Sequence, residues 1–180
     1  PYQPSALTAA DIAGSMTLLC CAEPLGDVEI EYQPQAGVKA LPVRQYPAQV
    51  VQMELLTTDV MRLCLKLPDG GAMRFHAGQY INILLDDGAK RSFSFASAPP
   101  AGGASDDIEL HVRLVPGGRF TTRVFSAMKV GDIVRFEGPL GAFTLREDSD
   151  KPIIFVAGST GFAPVKSMLE YAFRQKLARR

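Results

Sequence analysis

The chain has 180 residues, enough for one sizeable hydrophobic core or for one domain with parts of others. Its 19 basic and 19 acidic residues cancel and form no long run of one sign, which argues against nucleic acid and anionic lipid as partners. No apolar stretch approaches the roughly 18 residues of a membrane span, and the 3 cysteines favour a reducing compartment over a disulfide framework. We therefore expect a cytoplasmic protein with no nucleic-acid or membrane partner.

The two ends of the chain predict a fragment of a longer protein. The sequence starts at Pro1 without a methionine, and it stops one helix after a glycine-rich turn. One strand and one helix do not cover a parallel sheet, because such sheets need further βα units.

The first 45 residues carry little periodicity and are rich in Pro, Gly and Ala. Val28 and Ile30 alternate with acidic residues, which predicts a half-exposed strand. Cys20 ends a short apolar run before a Pro-Leu-Gly turn, and composition alone favours a small buried thiol there. Residues 32–46, with Pro34, Gly37 and Pro42 and followed by Pro47, predict a linker.

From about residue 47 the pattern becomes that of an all-β domain. Apolar and polar residues alternate in 61–67 and again in 108–114, as in strands with one buried face. Further strands are predicted in 79–85, 91–97 and 133–137, each bounded by turn residues. Several short strands at this spacing predict a small antiparallel barrel or sandwich.

The strand 91–97 has the sequence Arg-Ser-Phe-Ser-Phe-Ala-Ser. Alternation places Arg91, Phe93 and Phe95 on one face and Ser92 and Ser94 on the other. A cation, an aromatic plane and short hydroxyls suit an anionic, aromatic ligand. Taken alone, an ordinary strand with a solvated arginine and core phenylalanines explains the same pattern more often.

Residues 116–128 begin with Pro-Gly-Gly and continue as a short helix that Thr121 or Thr122 would cap. Glycines before a helix let the backbone approach an anion, and the free N–H groups favour phosphate. An ordinary helix start explains the segment equally well.

The last segment changes character again. Residues 152–157 form a continuous apolar run, which predicts a strand buried on both faces. A glycine turn at 158–164 leads into a helix whose predicted apolar stripe is Val165, Met168, Leu169, Ala172 and Phe173. Strand, glycine turn and helix hold a dinucleotide pyrophosphate in many proteins, although the G-x-G-x-x-G fingerprint is missing here.

In this order, the motifs closely resemble those of the ferredoxin–NADP reductase superfamily. They are Ala77-Gly78-Gln79-Tyr80, Arg91-Ser92-Phe93-Ser94, Gly118-Arg119-Phe120-Thr121, Gly138-Pro139-Leu140-Gly141 and Gly158-Ser159-Thr160-Gly161-Phe162-Ala163-Pro164. The resemblance implies a mainly β fold: a small antiparallel Greek-key β-barrel that binds FAD, then the first βα unit of an α/β nucleotide-binding domain. The expected divisions are 1–45 (ferredoxin remnant and linker), 46–148 (FAD domain) and 149–180 (truncated NAD(P) domain).

The segment Thr17 to Glu31 resembles the end of a plant-type [2Fe–2S] ferredoxin, where Cys20 would be the fourth cluster ligand. The other three ligands of that family come from an upstream C-x₄-C-x₂-C loop, which this chain lacks, so we do not expect the chain as given to bind iron. The combination is similar to [2Fe–2S]–FAD–NAD(P)H reductases, and most of all to the CDP-6-deoxy-Δ3,4-glucoseen reductase-like branch. Phe93 stands where many relatives have Tyr; the loss of one hydroxyl costs about 0.5–1.5 kcal/mol and leaves the stacking surface intact.

The resemblance assigns roles to individual residues. Arg91 would pair with the FAD pyrophosphate, Phe93 would pack on the flavin, and Ser94 would lie near flavin N5 as the one catalytic position. The remaining FAD contacts would be Ser92, His111, Val112, Arg113, Gly117, Gly118, Phe120 and Thr121. The NAD(P) contacts would be Gly158, Ser159, Thr160, Gly161 and Pro164. For His111 and Arg113, a solvated strand face is the simpler alternative.

The function that this resemblance implies is an FAD-dependent oxidoreductase. Electrons would pass from NAD(P)H through FAD to a [2Fe–2S] centre and on to an acceptor protein, an oxygenase or dehydratase component. Two alternatives stay open: a reductase that uses free flavin as its substrate, and a non-catalytic FAD-binding electron-transfer or interaction module. The ferredoxin-like segment argues against the first alternative, because a flavin reductase needs no cluster.

Overall fold

The structure is a computed structural model that describes residues 7–17, 23–31 and 40–178. The chain divides into two compact units, Pro1–Pro34 and Gln35–Arg180. The described part of the first unit contains a helix of 5 residues, α1 (Ala9–Ala13), with a capping box between Thr8 and Asp11. Val28 and Ile30 are exposed and lie in irregular chain, so the strand predicted there is wrong. Apolar and polar residues alternate here, but no strand is formed within 23–31, because a strand needs a neighbour to hydrogen-bond with.

The described part of the second unit contains eight strands and two α-helices. The strands are β1 (Arg44–Thr57), β2 (Val60–Lys66), β3 (Met73–Arg74), β4 (Tyr80–Leu84), β5 (Lys90–Ser94), β6 (Ala104–Ser105), β7 (Asp107–Arg113) and β8 (Ile133–Leu140). The helices are α2 (Arg119–Ser126), which lies between β7 and β8, and α3 (Phe162–Arg174). Six strands form one antiparallel sheet in the order β5-β4-β8-β1-β2-β7, and β3 pairs with β6. The predicted mainly β, antiparallel fold is confirmed.

The six-stranded sheet curves without closing into a continuous barrel. Its end strands meet just beyond β5, through one antiparallel bridge between Phe95 and Leu110 and the Ala96 N–H donating to Glu109 O at 2.8 Å. The next carbonyls, Ala96 O and Ser97 O, accept hydrogen bonds from side chains of α3. Helix α3 therefore lies directly beyond the point where the two end strands meet.

The core lies inside the sheet, and alternate strand residues fill it as the sequence predicts. The largest fully buried side chains include Leu63, Leu65, Ile81, Ile83, Phe95, Leu110 and Phe136. Helix α2 places Phe120 and Val124 against this cluster. The helix begins after Gly118, so the predicted cap at Thr121 or Thr122 is wrong. Thr121 Oγ1 instead lies 3.2 Å from Gly118 O and accepts a hydrogen bond from Val115 N, also at 3.2 Å.

The apolar run 152–157 differs from its prediction. Ile153 and Phe155 pack on a second apolar cluster with Met168 of α3, whereas Ile154 is 88% exposed and Val156 is 92% exposed. The predicted strand buried on both faces is wrong, because no parallel strand in the described part of the chain pairs with it or covers its other face. In α3, Val165 and Met168 are buried as predicted, but Phe173 is exposed.

The helix α3 is the longest in the described ranges, with 13 residues. Within those ranges, no helix has both the length and the apolar character that crossing a bilayer requires.

Candidate functional site

The face of β5 that carries Arg91 and Phe93 is set by its register with β4. Phe93 lies opposite Ile81 and Arg91 opposite Ile83, and both isoleucines are buried. Directly opposite residues of an antiparallel pair share a face, so this face of β5 is continuous with the core. Phe95 extends it into the interior, where its ring stacks on Phe75 with centroids 4.0 Å apart.

Arg91 and Phe93 stand at the margin of that core. Phe93 is half-buried and tilts at 52° against Phe120 of α2, with ring centroids 5.3 Å apart. Arg91 is exposed, and its Nη1 donates to Lys90 O at 2.8 Å. Among the described residues its guanidinium forms no ion pair with a carboxylate. The pair thus combines a cation that has no carboxylate partner in the described ranges with a partly exposed aromatic ring. We use the name flavin wall for residues 91–95 and 111–113, where the sequence resemblance predicts that flavin binds.

The two serines of β5 lie on the opposite face. Ser92 Oγ donates to Asn82 Oδ1 at 2.7 Å, and Asn82 in turn donates to Glu137 Oε1 at 3.0 Å. Ser94 lies opposite Tyr80 and is half-buried. The structure therefore does not bring the hydroxyl of Ser92 together with the guanidinium of Arg91.

The three residues of β7 in the flavin wall differ from one another. Val112 is fully buried, so only its backbone can meet a ligand. Arg113 is exposed and pairs with Asp59, Nε to Oδ2 at 2.9 Å. His111 is not a solvated strand residue, because its side chain is only 10% exposed and its Nε2 lies 3.0 Å from Glu109 Oε1.

Glu109 is the charged residue near the wall that sequence reasoning missed. Its carboxylate is 10% exposed and meets three cationic or basic groups: His111, Arg62 Nη2 at 3.2 Å and Lys166 Nζ at 3.1 Å. Burial alone raises the pKa of Glu109, but hydrogen bonds from His111, Lys166 and Arg62 and the charge of Lys166 outweigh it and lower the pKa to about 2. The i,i+4 pairs Lys166–Glu170 and Glu170–Arg174 are the sequence signals of a charged face on α3.

This lowered pKa predicts a stability that depends on pH. A carboxylate whose pKa is lower in the folded state stabilises it fully above the unfolded value of 4.5, and this contribution is lost as the pH falls towards about 2. Replacing Glu109 with Gln removes the titrating group. We expect wild type to lose more unfolding free energy than Glu109→Gln between pH 4.5 and 2, by roughly 1–3 kcal/mol after solvent screening.

Urea unfolding at several pH values in this window measures the difference. The control is Asp150→Asn, which changes an exposed carboxylate and should keep the wild-type pH dependence. Equal slopes for wild type and Glu109→Gln would show that Glu109 titrates as it does in the unfolded chain.

In the loop before α2, the groups that could contact a ligand are backbone atoms and not side chains. Gly117 has φ of +74°, and a Cβ added there would meet none of the described atoms within 4 Å. A Cβ on Gly118 would lie 2.5 Å from Thr121 Oγ1, so this position requires glycine. Phe120 and Thr121 are both buried, and the Thr121 hydroxyl is already bonded within the loop. The backbone at 117–118 is the part of this loop that can face an anion.

The glycine turn at 158–164 lies beside β7. Ser159–Gly161 form one turn of 3₁₀ helix that leads directly into α3. Cβ atoms added at Gly158 and Gly161 would have no described atom within 4 Å, and Pro164 is buried in the first turn of α3. The structure therefore brings this turn next to the strand that carries His111–Arg113.

A comparison with protein families identifies the fold. Residues 47–145 match the model of the family described as the oxidoreductase FAD-binding domain. The chain belongs to this family.

The relatives of the chain are reductases. It is 40% identical over 164 residues to the CDP-6-deoxy-L-threo-D-glycero-4-hexulose-3-dehydrase reductase of Yersinia pestis, covering 91% of this chain and 48% of the relative. It is 41% identical over 162 residues to the terephthalate 1,2-dioxygenase reductase component 1 of a Comamonas species, covering 90% and 47%. A crystal structure of an Amycolatopsis cytochrome P450 reductase superposes with a TM-score of 0.71 at 34% identity, covering 98% of this chain and 53% of that chain. The predicted resemblance is confirmed, and the chain spans about half the length of the relatives it matches.

The residues of the flavin wall differ in exposure: Arg91 and Arg113 are exposed, whereas Phe95 and Val112 are fully buried. Two cavities of about 510 Å³ each lie elsewhere, one bounded by 74–77, 99–103 and 144–148 together with α3, the other beneath α2. Of the predicted FAD contacts, only Phe120 lines either cavity. The wall nevertheless fits FAD, because Arg91 lacks a carboxylate partner in the described ranges, Phe93 is partly exposed and the glycine backbone at Gly117 is open.

The predicted cluster ligand Cys20 lies outside the described residues. Within those residues, no group of three or more His, Cys, Asp or Glu side chains is arranged to hold a metal ion. Cys64, on β2, is a free thiol whose pKa is raised by burial. It lies in the sheet, in the unit that contains the FAD-binding domain.

Proposed function

We propose that this chain is the FAD-binding part of a reductase that takes electrons from NAD(P)H and passes them to a [2Fe–2S] centre and an acceptor protein. One observation carries the proposal: the glycine turn at 158–164 lies beside β7, so one surface carries the flavin wall and the nucleotide turn. Electron or hydride transfer needs its two cofactors in contact, and this arrangement would place them so.

The residues of the wall would bind and orient the cofactor. Arg91 would pair with the pyrophosphate of FAD, as an exposed guanidinium without a carboxylate partner in the described chain can. The half-exposed ring of Phe93 would bound the flavin, and the backbone at Ser94 would approach its N5. His111 and Arg113 would line the pyrimidine edge, and the backbone of Val112 would complete it. When bound, FAD supplies the hydride-accepting and electron-donating chemistry, so these residues need no acid or base role.

Two further sets of contacts belong to the same proposal. The backbone of Gly117 and Gly118 would hold phosphate, with Ser92, Phe120 and Thr121 shaping the loop and strand around it. The nucleotide turn would bind NAD(P)H through Gly158, Ser159, Thr160, Gly161 and Pro164. Open space over both turn glycines supports close approach of a pyrophosphate to this backbone.

The wider assignment rests on the relatives. Their names describe reductases of a dehydrase and of a dioxygenase, which supports an acceptor protein of that class. We propose the divisions 1–45, 46–148 and 149–180, a cluster that Cys20 would help to hold together with ligands absent from this chain, and a cytoplasmic location.

The test is whether flavin stays with the purified chain. We expect the flavin absorbance band to survive desalting and to bleach when NADH or NADPH is added without oxygen, with dithionite as the control for full reduction. A change in the fluorescence of added FAD on titration with the chain gives a second measure of binding. A chain that is colourless after desalting and does not quench added FAD would contradict the proposal.

A second candidate is a reductase that uses flavin as an exchangeable substrate, which the solvent exposure of Arg91 and Arg113 would permit. Such a chain would lose flavin on desalting but oxidise NAD(P)H when free FAD or FMN is supplied. Retained flavin that dithionite bleaches and NAD(P)H does not would instead support a non-catalytic electron-transfer module.

A further inference from the structure

Helix α3 makes polar contacts with three consecutive residues, 96–98, that directly follow the β5 part of the flavin wall. Lys166 Nζ donates to Ala96 O at 2.8 Å, and Ser167 Oγ donates to Ser97 O at 2.8 Å. Glu170 Oε2 accepts from Ala98 N at 3.2 Å. One face of α3 therefore holds the chain immediately after β5.

Lys166 also reaches the second strand of the wall. Its Nζ lies 3.1 Å from Glu109 Oε1 on β7 and 2.7 Å from Glu170 Oε1 on its own helix. The side chain of Lys166 is 29% exposed and that of Glu109 is 10% exposed, so most of this ion pair is removed from water. Buried charges need such partners, and removing one leaves the other uncompensated.

All charged or titratable groups around this pair contribute to its balance. Arg62 of β2 joins Glu109 to Glu54 of β1, and His111 contacts Glu109 along β7. On the helix side, Arg174 lies 3.6 Å from Glu170. The network therefore connects three strands of the sheet to α3.

The residues of this network lie close in sequence to the residues proposed to bind the two cofactors. Lys166 comes two residues after Pro164, the last residue of the nucleotide turn, and Ala96 comes two residues after Ser94. Glu109 comes two residues before His111. Each contact thus lies next to a segment proposed to hold a cofactor, and a shift of α3 along the wall would move the nucleotide turn with it.

We propose that Lys166 and Glu109 are positioning residues that set the placement of the nucleotide turn against the flavin wall. The inference rests on the proposed function, in which the wall holds flavin and the turn holds the nicotinamide nucleotide. Transfer between two cofactors is sensitive to position, since a misplacement of about 1 Å can cost on the order of 100-fold in rate.

Hydrogen exchange and flavin reduction together test this inference. In Lys166→Met we expect amide exchange in 158–174 to rise about tenfold or more, with exchange in β1, β2 and β8 unchanged. The rate constant for flavin reduction at saturating NAD(P)H should fall about 10- to 100-fold, while the Kd for FAD changes less than about threefold. Lys166→Arg keeps the charge and should restore most of both properties. Lys129→Met, an exposed lysine between α2 and β8, is the matched control.

Two results would overturn the inference. Exchange in 158–174 within about twofold of wild type would show that Lys166 does not hold α3. A uniform rise in amide exchange across the strands of the sheet and α3 would show that Lys166 stabilises the whole fold and not only the contact between α3 and the sheet. If wild type binds no flavin, the proposed function is wrong, while the exchange comparison still decides whether Lys166 holds the helix.

Discussion

Replacing Arg91 with methionine is expected to weaken FAD binding by about 10- to 150-fold. Hydrogen bonds to a charged group contribute about 1.5–3 kcal/mol, which corresponds to this range of affinity. The unfolding free energy should change by less than about 0.5 kcal/mol, because Arg91 is exposed and, among the described residues, its side chain hydrogen-bonds to the Lys90 carbonyl alone. Titration of FAD with the chain, followed by flavin fluorescence, measures the affinity.

Arg135→Met is the matched control for Arg91. Arg135 is an exposed arginine of β8, opposite Pro47, and lies outside the proposed FAD contacts. Its replacement removes the same charge and should leave the FAD affinity within about twofold of wild type. If both variants lose affinity equally, the effect comes from net charge and Arg91 holds no phosphate.

Replacing Phe95 with alanine is expected to lower the unfolding free energy by about 3–5 kcal/mol. The Phe95 side chain is fully buried and stacks on Phe75. The backbone of Phe95 forms the bridge between the two end strands of the sheet. Its removal leaves a cavity in a cluster that β2, β4 and β7 all enclose. Urea unfolding followed by circular dichroism gives the free-energy difference.

Phe173→Ala is the control for that loss. Phe173 belongs to α3 and is 77% exposed, so its truncation should change the unfolding free energy by less than about 0.5 kcal/mol. Similar losses for the two variants would contradict the explanation by burial, because the two side chains differ in exposure.

The strands that the sequence predicts correctly are those whose apolar and polar residues alternate locally. The alternation in 61–67 and 91–95 identifies both the strands and their buried faces, because each face repeats every second residue. The strand predicted at 152–157 fails for the opposite reason. A parallel strand depends on its neighbours, and the described chain has none to pair with Ile154 and Val156.

The polar contacts of the site depended on residues distant in sequence. From the sequence, Glu109 and His111 are expected to face solvent, because they alternate with apolar residues of β7. Helix α3, more than 50 residues later, covers Glu109 through Lys166. The cap of α2 was misassigned because the Thr121 hydroxyl turns back towards Val115, which a local cap pattern does not encode. The roles assigned to the motif residues stay predictions until a cofactor-binding measurement tests them.

The single bridge between Phe95 and Leu110 gives the sheet a seam, where two edges touch without a continuous ladder. The proposed cofactor surface lies along this seam, with β5 on one side and β7 on the other. A ligand that contacts both edges would link β5 to β7, so its binding would stabilise the sheet along this seam. Loss of the ligand would then lower the free energy needed to separate β5 from β7.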